Sequence, residues 1–214
     1  MKETIQILCY GDSNTWGFIS GIPFHRYNTK DRWTTILQKK LGKNFDIMVE
    51  GLNGRTITSE DPRPNMIGRN GSKYLIPCLD SHDPLDLVII MLGTTELKEM
   101  FNHTVNYVGE EFEQQIIKKI LNNKSQYRNT TPKILIIAPP LINETTDFAS
   151  KLFKGAAVKS KMLGEIYNNI AKRNKCYFLD ARTIDTGIDG VHLTKKGNID
   201  LANKIFEKIK TIKL

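Results

Sequence analysis

The strongest constraint on the fold is a pair of short runs, L-V-I-I-M-L at 87–92 and K-I-L-I-I-A at 133–138, that are apolar almost without interruption. A strand with one face in water alternates apolar and polar residues, whereas a strand covered on both faces is continuously apolar. Covered strands are typical of parallel sheets, in which helices connect one strand to the next and lie on both faces. The two runs therefore predict a parallel sheet within an α/β fold.

Three further apolar runs and four segments with helical spacing complete the pattern. The predicted strands are 5–10, 45–50, 85–92, 133–138 and 176–179, and the predicted helices are 32–41, 109–121, 160–172 and 194–209. In the last helix, Leu201, Ile205 and Ile209 form one apolar stripe, and Thr194 is the predicted N-cap. Strands that alternate with helices predict a three-layer α/β/α sandwich with a central five-stranded parallel sheet.

The composition indicates a soluble globular protein. Of 214 residues, 40% are hydrophobic and 25% charged, and no repeated or low-complexity tract divides the chain, so we predict a single domain over 1–214. The net charge is +8, but the lysines are scattered and concentrate mainly on the polar face of the last helix. Without a basic run or interleaved aromatic residues, no nucleic-acid partner is predicted. No apolar stretch reaches the roughly 20 residues of a membrane span.

The cysteines, Cys9, Cys78 and Cys176, argue against a disulfide or metal framework. Their number is odd, their spacing is wide, they form no CxxC pair, and they show no histidine at metal-ligand spacing. Buried, inert thiols in a reducing compartment are the simpler interpretation. Residues 1–11 cannot hold a secretory leader without consuming the first strand, so we expect a cytoplasmic protein without a metal.

Polar clusters follow the predicted strands where a parallel sheet forms its ligand-binding edge. They are Gly-Asp-Ser-Asn at 11–14, Gly-Leu-Asn-Gly-Arg at 51–55, Gly-Thr-Thr-Glu at 93–96 and, just before the last helix, Asp-Gly-Val-His at 189–192. The carboxyl ends of parallel strands share one edge, and ligands bind there. The four clusters are therefore expected to converge on one site.

The residue types in these clusters suit ester cleavage. That reaction needs a nucleophile, a base that takes its proton, and hydrogen-bond donors for the oxyanion that develops. Ser13 supplies a hydroxyl, His192 supplies the base, and Asp189 lies close enough to the histidine in sequence to fix its tautomer. Two alternatives stay open: Ser13 could simply cap a helix after the first strand, and Asp180 or Asp185 could orient the histidine instead.

The four clusters, in this order, resemble those of the SGNH hydrolases, also called the GDSL family. The stretches I-L-C-Y-G-D-S-N-T-W-G, E-G-L-N-G-R-T, D-L-V-I-I-M-L-G-T and D-G-V-H are similar to the bacterial arylesterase and acyltransferase branch, which acts on short-chain esters. The resemblance implies a flavodoxin-like fold, a small-molecule ester substrate, no cofactor, a homo-oligomer, and a triad of Ser13, His192 and Asp189. It also assigns the oxyanion donors to the backbone N–H groups of Ser13 and Gly54 and to the side chain at position 95.

One position departs from the family pattern. The family usually has asparagine followed by aspartate where this chain has Thr95 followed by Glu96. Losing one oxyanion donor costs about 10² to 10³ in turnover in other enzymes. We therefore predict a serine esterase for short-chain esters, with acyl transfer to alcohols as a variation. The alternative is a weakened SGNH-fold protein that binds carbohydrate or acyl ligands.

Residues around the clusters are candidates for the substrate pocket: Asp12, Trp16, Asn53, Leu141 and Phe153. Asp12 is expected to brace the turn through backbone N–H groups. Trp16 and Phe18 are each either core filler or a wall of the acyl pocket, and the family resemblance favours the wall for Trp16. A dinucleotide site is disfavoured because the bulky Trp16 obstructs a phosphate cradle. The segment 139–155 is predicted to form a lid or an oligomer contact.

Overall fold

The computed structural model describes residues 4–214, and at its centre lies a sheet of five strands in which every neighbouring pair is parallel. The strands are β1 (Ile5–Gly11), β2 (Phe45–Gly51), β3 (Leu87–Met91), β4 (Lys133–Ala138) and β5 (Tyr177–Asp180). Their order across the sheet is β2-β1-β3-β4-β5. The predicted five-stranded parallel sheet is confirmed.

Helices cover both faces of this sheet. They are α1 (Ser13–Trp16), α2 (Trp33–Leu41), α3 (Gly71–Ser81), α4 (Val105–Phe112), α5 (Lys118–Asn122), α6 (Asp147–Leu152), α7 (Ala156–Arg173) and α8 (Lys195–Ile209). A π-helical segment, Glu113–Ile117, joins α4 to α5. Within the described residues, no helix has both the length and the apolar character that crossing a membrane requires.

The core consists of two apolar clusters, one on each face of the sheet. Leu8 and Tyr10 of β1 point into the cluster formed with α3, α4 and α7. Ile7 and Cys9 point into the other cluster, which is formed with α2 and α8. Because alternate side chains of a strand lie on opposite faces and both faces are covered, every position has to be apolar. This explains the continuous runs and confirms the three-layer sandwich.

The last helix follows the prediction closely. The Thr194 side chain accepts a hydrogen bond from the backbone N–H of Gly197 and so caps α8, as expected. Leu201, Ile205 and Ile209 are buried in the core beside α2. The helix covers one face of the sheet and holds the segment just before it, which carries His192, at the carboxyl edge.

Several helices differ from the prediction: α7 begins at Ala156 rather than at 160, and α6 was not predicted. The helix expected at 109–121 begins at Val105, because Thr104 caps it by accepting from the backbone N–H of Tyr107. Helix α3 was not predicted, since Pro77 lies inside it and a proline normally ends a helical pattern. The helix still forms: Asn70 caps it, and Leu75 and Cys78 are buried against the sheet.

Candidate active site

The nucleophile candidate lies at the sharp turn where β1 ends. Asp12 is the N-cap of the short helix α1, and its Oδ1 accepts the backbone N–H of Asn14 at 2.9 Å. This is the bracing role expected for Asp12. A Cβ on Gly11 would lie 2.1 Å from Oγ1 of Thr15, so glycine is needed for the strand to turn directly into the helix. The turn places Ser13 at the carboxyl edge of the sheet, with 8% of its surface exposed.

Ser13, His192 and Asp189 form a continuous hydrogen-bonded chain. His192 Nε2 lies 2.8 Å from Ser13 Oγ, and His192 Nδ1 lies 2.7 Å from Asp189 Oδ2. Asp189 Oδ1 also accepts the backbone N–H groups of Val191 and His192. Burial opposes ionisation of Asp189, but the hydrogen bonds and positive charge supplied by His192 hold the pKa of its carboxyl well below the usual range. Asp189 is therefore a carboxylate suited to orienting an imidazole.

Neither of the alternative partners for His192 is hydrogen-bonded to its ring, because Asp189 Oδ2 already occupies Nδ1. The carboxylate of Asp180 is bound by the guanidinium of Arg182. Asp185 uses its backbone oxygen to accept from the backbone N–H of Thr194. The geometry therefore favours Asp189 as the residue that orients the histidine.

Aromatic rings enclose the imidazole of His192. The ring of Phe18 stacks on it with a centroid distance of 4.2 Å and an interplanar angle of 25°. Phe148, from α6, lies 6.1 Å away at a tilted angle. A flanked ring cannot rotate freely, so these contacts help to keep Nε2 directed at Ser13.

Ser13 is not the only serine beside a histidine in the described residues. Ser59 Oγ lies 2.8 Å from His103 Nε2 and also donates to Glu96 Oε1 at 3.1 Å. A serine that donates its proton to a carboxylate is not activated by a neighbouring imidazole, and the described contacts of His103 include no carboxylate that would orient its ring. The geometry therefore distinguishes Ser13 from Ser59.

The predicted oxyanion positions lie around the same cavity as Ser13. Gly54 has a φ of +73°, a conformation that favours glycine, and it lines the cavity. Thr94 and Thr95 line it as well, and the buried Oγ1 of Thr94 has no hydrogen-bond partner among the described residues. Glu96 faces away: its Oε1 accepts the backbone N–H groups of Thr58 and Ser59. Glu96 thus ties the turn that carries Thr95 to the chain that follows Gly54.

The cavity has a volume of about 340 Å³ and is lined mainly by apolar side chains. Of the predicted pocket residues, Asn53 and Phe153 line it, whereas Asp12, Trp16 and Leu141 do not. Asp12 lies beneath the turn, and Trp16 is directed to Arg26, whose Cζ is 4.7 Å from the centre of its ring. Leu141 stands outside the cavity, while its neighbour Ile142 packs into the core. Phe18, for which the sequence left core filler and pocket wall open, lines the cavity. Wall residues that were not among the pocket candidates include Ile22, Phe24, Arg63, Met66, Lys98, Phe148 and Leu152.

The segment 139–155 is attached to the loop that carries Asp189 and His192. The backbone N–H of Asn143 donates to the carbonyl of Gly190 at 2.8 Å, and Thr146 Oγ1 donates to the carbonyl of Asp189 at 2.8 Å. Phe148 and Phe153 of the same segment line the cavity. The structure thus places part of the segment on the wall of the cavity, while the lid and the oligomer contact both stay predictions.

One expectation about the cysteines is corrected. Cys78 and His82 are one helical turn apart, and together with Glu50 they place potential ligand atoms within 4.8 Å of one another. His82 Nε2 is already hydrogen-bonded to Glu50 Oε1 at 2.9 Å. Burial, followed by the negative charge of Glu50, raises the pKa of the Cys78 thiol to about 12. The nearby guanidinium cation of Arg55 disfavours the binding of a metal cation at the same place. These contacts favour a hydrogen-bonded cluster over a metal site.

The chain is similar to known hydrolases along nearly its whole length. Residues 9–198 match the sequence profile of the GDSL-like Lipase/Acylhydrolase family. A comparison with curated proteins found no match. Among solved structures, Est24, a carbohydrate acetylesterase from Sinorhizobium meliloti, is 36% identical with a TM-score of 0.89, over 97% of this chain and 99% of its own.

Two further structures show one similar and one lower degree of identity. The native aryl esterase of M. smegmatis is 34% identical with a TM-score of 0.89, over 98% of this chain and 100% of its own. The lipase/acylhydrolase from Enterococcus faecalis is only 16% identical with a TM-score of 0.70, over 97% and 96%, and shares the fold alone. Because the profile covers most of the chain and relatives more than 30% identical match end to end, the chain belongs to the GDSL-like lipase/acylhydrolase family, the SGNH hydrolases.

Proposed function

We propose that this protein is a serine esterase that hydrolyses short-chain carboxylic esters with Ser13 as nucleophile, His192 as general base and Asp189 as its orienting carboxylate. The observation that carries the proposal is the chain of hydrogen bonds from Ser13 Oγ through His192 to Asp189, at 2.8 and 2.7 Å, on the wall of an apolar cavity. The broader class, a carboxylic ester hydrolase, follows from membership of the family.

In the first half-reaction, Ser13 Oγ attacks the ester carbonyl carbon while His192 Nε2 takes the hydroxyl proton. The carbonyl oxygen becomes an oxyanion, and the imidazolium that forms is stabilised by Asp189. When the intermediate collapses, the bond to the alcohol oxygen breaks, and His192 returns its proton to that oxygen. The products are a free alcohol and an acyl group on Ser13.

In the second half-reaction, water takes the place of the alcohol. His192 Nε2 accepts a proton from the water as its oxygen attacks the acyl carbon, and it then returns the proton to Ser13 Oγ as the acid leaves. An alcohol that occupied the water's position would accept the acyl group by the same steps. Acyl transfer therefore needs no further residue, only exclusion of water from the cavity.

The oxyanion is proposed to be held by the backbone N–H groups of Ser13 and Gly54. The positive φ of Gly54 and the place of both residues on the cavity wall support this assignment. Thr95 occupies the family's asparagine position, and its hydroxyl has a shorter reach than an amide. We propose that Thr95 makes the third donor weaker, so that turnover is slower than a full set of three donors would allow.

The substrate class is proposed from the cavity and from the similar proteins. A mainly apolar cavity of about 340 Å³ beside Ser13 suits a small acyl group. Two of the similar structures are a carbohydrate acetylesterase and an aryl esterase. We therefore propose acetyl esters of sugars or aryl alcohols as substrates. A homo-oligomeric state and a cytoplasmic location stay predictions.

The test is hydrolysis of 4-nitrophenyl acetate by the full chain and two serine variants. Ser13→Ala should abolish turnover, because no hydroxyl remains to form the acyl-enzyme. The matched control is Ser59→Ala, which removes the serine of the other histidine pair and should retain turnover. Equal turnover by wild type and Ser13→Ala would overturn the proposal.

The second candidate function is binding without turnover, and the observation that favours it is Thr95 in place of asparagine. In that case the folded wild-type protein would bind acetylated sugars or acyl ligands in calorimetry but release no 4-nitrophenol. Measurable turnover that depends on Ser13 would exclude this candidate.

A further inference from the structure

The residue directly after the proposed nucleophile makes contacts that the mechanism above does not use. Asn14 is buried, with 2% of its surface exposed. Its Nδ2 donates to the backbone carbonyl of Val191 at 3.2 Å, and its Oδ1 accepts the backbone N–H of Leu193 at 2.9 Å. Val191 and Leu193 are the two chain neighbours of His192, so one amide side chain holds the backbone on both sides of the histidine.

The two contacts also fix which way the amide faces. A carbonyl can only accept and a backbone N–H can only donate, so exchanging the oxygen and nitrogen of Asn14 would break both bonds. Both atoms of the amide are therefore satisfied in one orientation alone. Leucine, the last letter of the family's G-D-S-L motif, has a similar size but could make neither bond.

Asn14 is itself held firmly to the turn of the nucleophile. Its backbone N–H donates to Asp12 Oδ1 at 2.9 Å, and α1 is closed by the bond from the N–H of Gly17 to the carbonyl of Ser13. The side chain of Asn14 thus joins two rigid pieces, the turn at 12–14 and the loop at 191–193. The Ser13–His192 hydrogen bond lies directly beside this link.

The other contacts of His192 constrain different degrees of freedom. Asp189 bonds to Nδ1 and so sets the tautomer and the rotation of the ring. Phe18 packs on the face of the ring. Neither contact ties the histidine backbone to the turn that carries Ser13, whereas Asn14 does so on both sides.

We propose that Asn14 is a positioning residue that sets the distance between Ser13 and His192 by holding the histidine backbone against the turn of the nucleophile. The proposal rests on the proposed function, because it assumes that proton transfer between these two side chains limits turnover. Misplacing a reacting group by about 1 Å can cost about 10²-fold in rate. Loss of the Asn14 amide should therefore lower kcat 10- to 100-fold and leave KM within about threefold, since Asn14 does not line the cavity.

The test compares Asn14→Leu with a matched control, Asn198→Leu. Asn198 is also buried and also uses both ends of its amide, with Oδ1 accepting the backbone N–H of Trp33 and Nδ2 donating to the carbonyl of Thr194. It joins α8 to α2 and does not line the cavity. Both variants lose the two hydrogen bonds of a buried amide, but only the Asn14 variant should lose kcat. Asn14→Gln, which keeps the amide on a longer arm, should recover part of the loss.

Urea unfolding and 4-nitrophenyl acetate kinetics are measured on all three variants and on Ser13→Ala, with Asn14→Ser replacing Asn14→Leu if the latter does not fold. If Asn14→Leu and Asn198→Leu lose similar stability and both retain wild-type kcat, the residue is merely structural and the proposal is overturned. If Ser13→Ala itself retains turnover, the proposed function fails instead. The two failures are thus distinguishable in one assay.

Discussion

Substituting Gly51 by alanine should displace the proposed nucleophile, Ser13, without contacting it directly. Gly51 ends β2 and pairs with Gly11 of β1, directly below α1. A Cβ at this position would lie 2.3 Å from the backbone nitrogen of Trp16 and 2.6 Å from the backbone carbonyl carbon of Thr15. These are backbone atoms of the helix that carries Ser13, so they cannot be relieved by a change of rotamer.

The size of the effect follows from this overlap. Non-bonded carbon atoms have their optimal contact distance at about 3.5 Å or more, so α1 must shift by about 1 Å to accommodate the methyl group. A shift of that size at a reacting group costs about 10²-fold in rate, or about 2.7 kcal/mol of transition-state stabilisation. We expect kcat for 4-nitrophenyl acetate to fall by about 100-fold, together with a loss of about 1–3 kcal/mol in unfolding free energy from overpacking.

Gly109→Ala is the matched control. Its Cβ would also come within 2.3 Å of an atom, but that atom is Cγ2 of the Ile166 side chain, between α4 and α7 and away from the cavity. This variant should change stability and leave kcat of the folded enzyme unaltered. Wild-type kcat in folded Gly51→Ala would refute the reasoning, because it would show that the position of α1 does not govern turnover.

Two further predictions concern Thr95 and Asp12. Thr95→Asn should raise kcat for 4-nitrophenyl acetate by about 10-fold or more if a weak third donor limits turnover; an unchanged or lower kcat counts against that account. Burial raises the pKa of the Asp12 carboxyl to about 6. Since the folded state then holds this proton more tightly than the unfolded state, the stability contributed by the protonated carboxyl falls by about 2 kcal/mol as the pH rises from 4.5 to 7.5. Asp12→Asn should remove that loss in urea unfolding at pH 4.5 and 7.5, and an identical pH dependence in wild type and variant would contradict it.

The fold could be predicted largely because its signals are local and redundant. The apolar runs of β3 and β4 leave no polar face, and the capping threonine and apolar stripe of α8 specify that helix from its own residues. Helix α3 escaped prediction because Pro77 breaks the local rule and tertiary burial of Leu75 and Cys78 overrides it. Local propensity cannot report a compensation that comes from packing against the sheet.

The candidate site could also be predicted only in part. Ser13, Asp189 and His192 could be predicted to lie close together because parallel strands end at one edge of the sheet. The structure does bring them together. The cavity wall could not be predicted as well. Trp16 and Phe18 are both aromatic and both follow Ser13 within five residues, and only the structure shows that Trp16 packs against Arg26 whereas Phe18 stacks on His192.

Other wall residues leave no pattern in the sequence at all. Arg63 and Lys98 come from irregular chain and share the buried carboxylate of Asp61, with shortest distances of 2.5 and 3.4 Å. Met66 lies near Gly54 for reasons of tertiary packing alone. No periodicity in the sequence marks such residues, so only the folded structure shows that they line the cavity.

The separation of Ser13 and His192, 179 positions apart in the chain, has a consequence for how refolding can be followed. Closing so long a loop adds little to the equilibrium cost, about 0.6 kcal/mol for each doubling of loop length. In time, however, the contact has to wait until the sheet between β1 and β5 has assembled. Circular dichroism after dilution from urea reports the formation of helices, whereas under the proposed mechanism recovery of ester hydrolysis reports the long-range contact between Ser13 and His192. The time course of recovered activity thus measures when the native topology is complete.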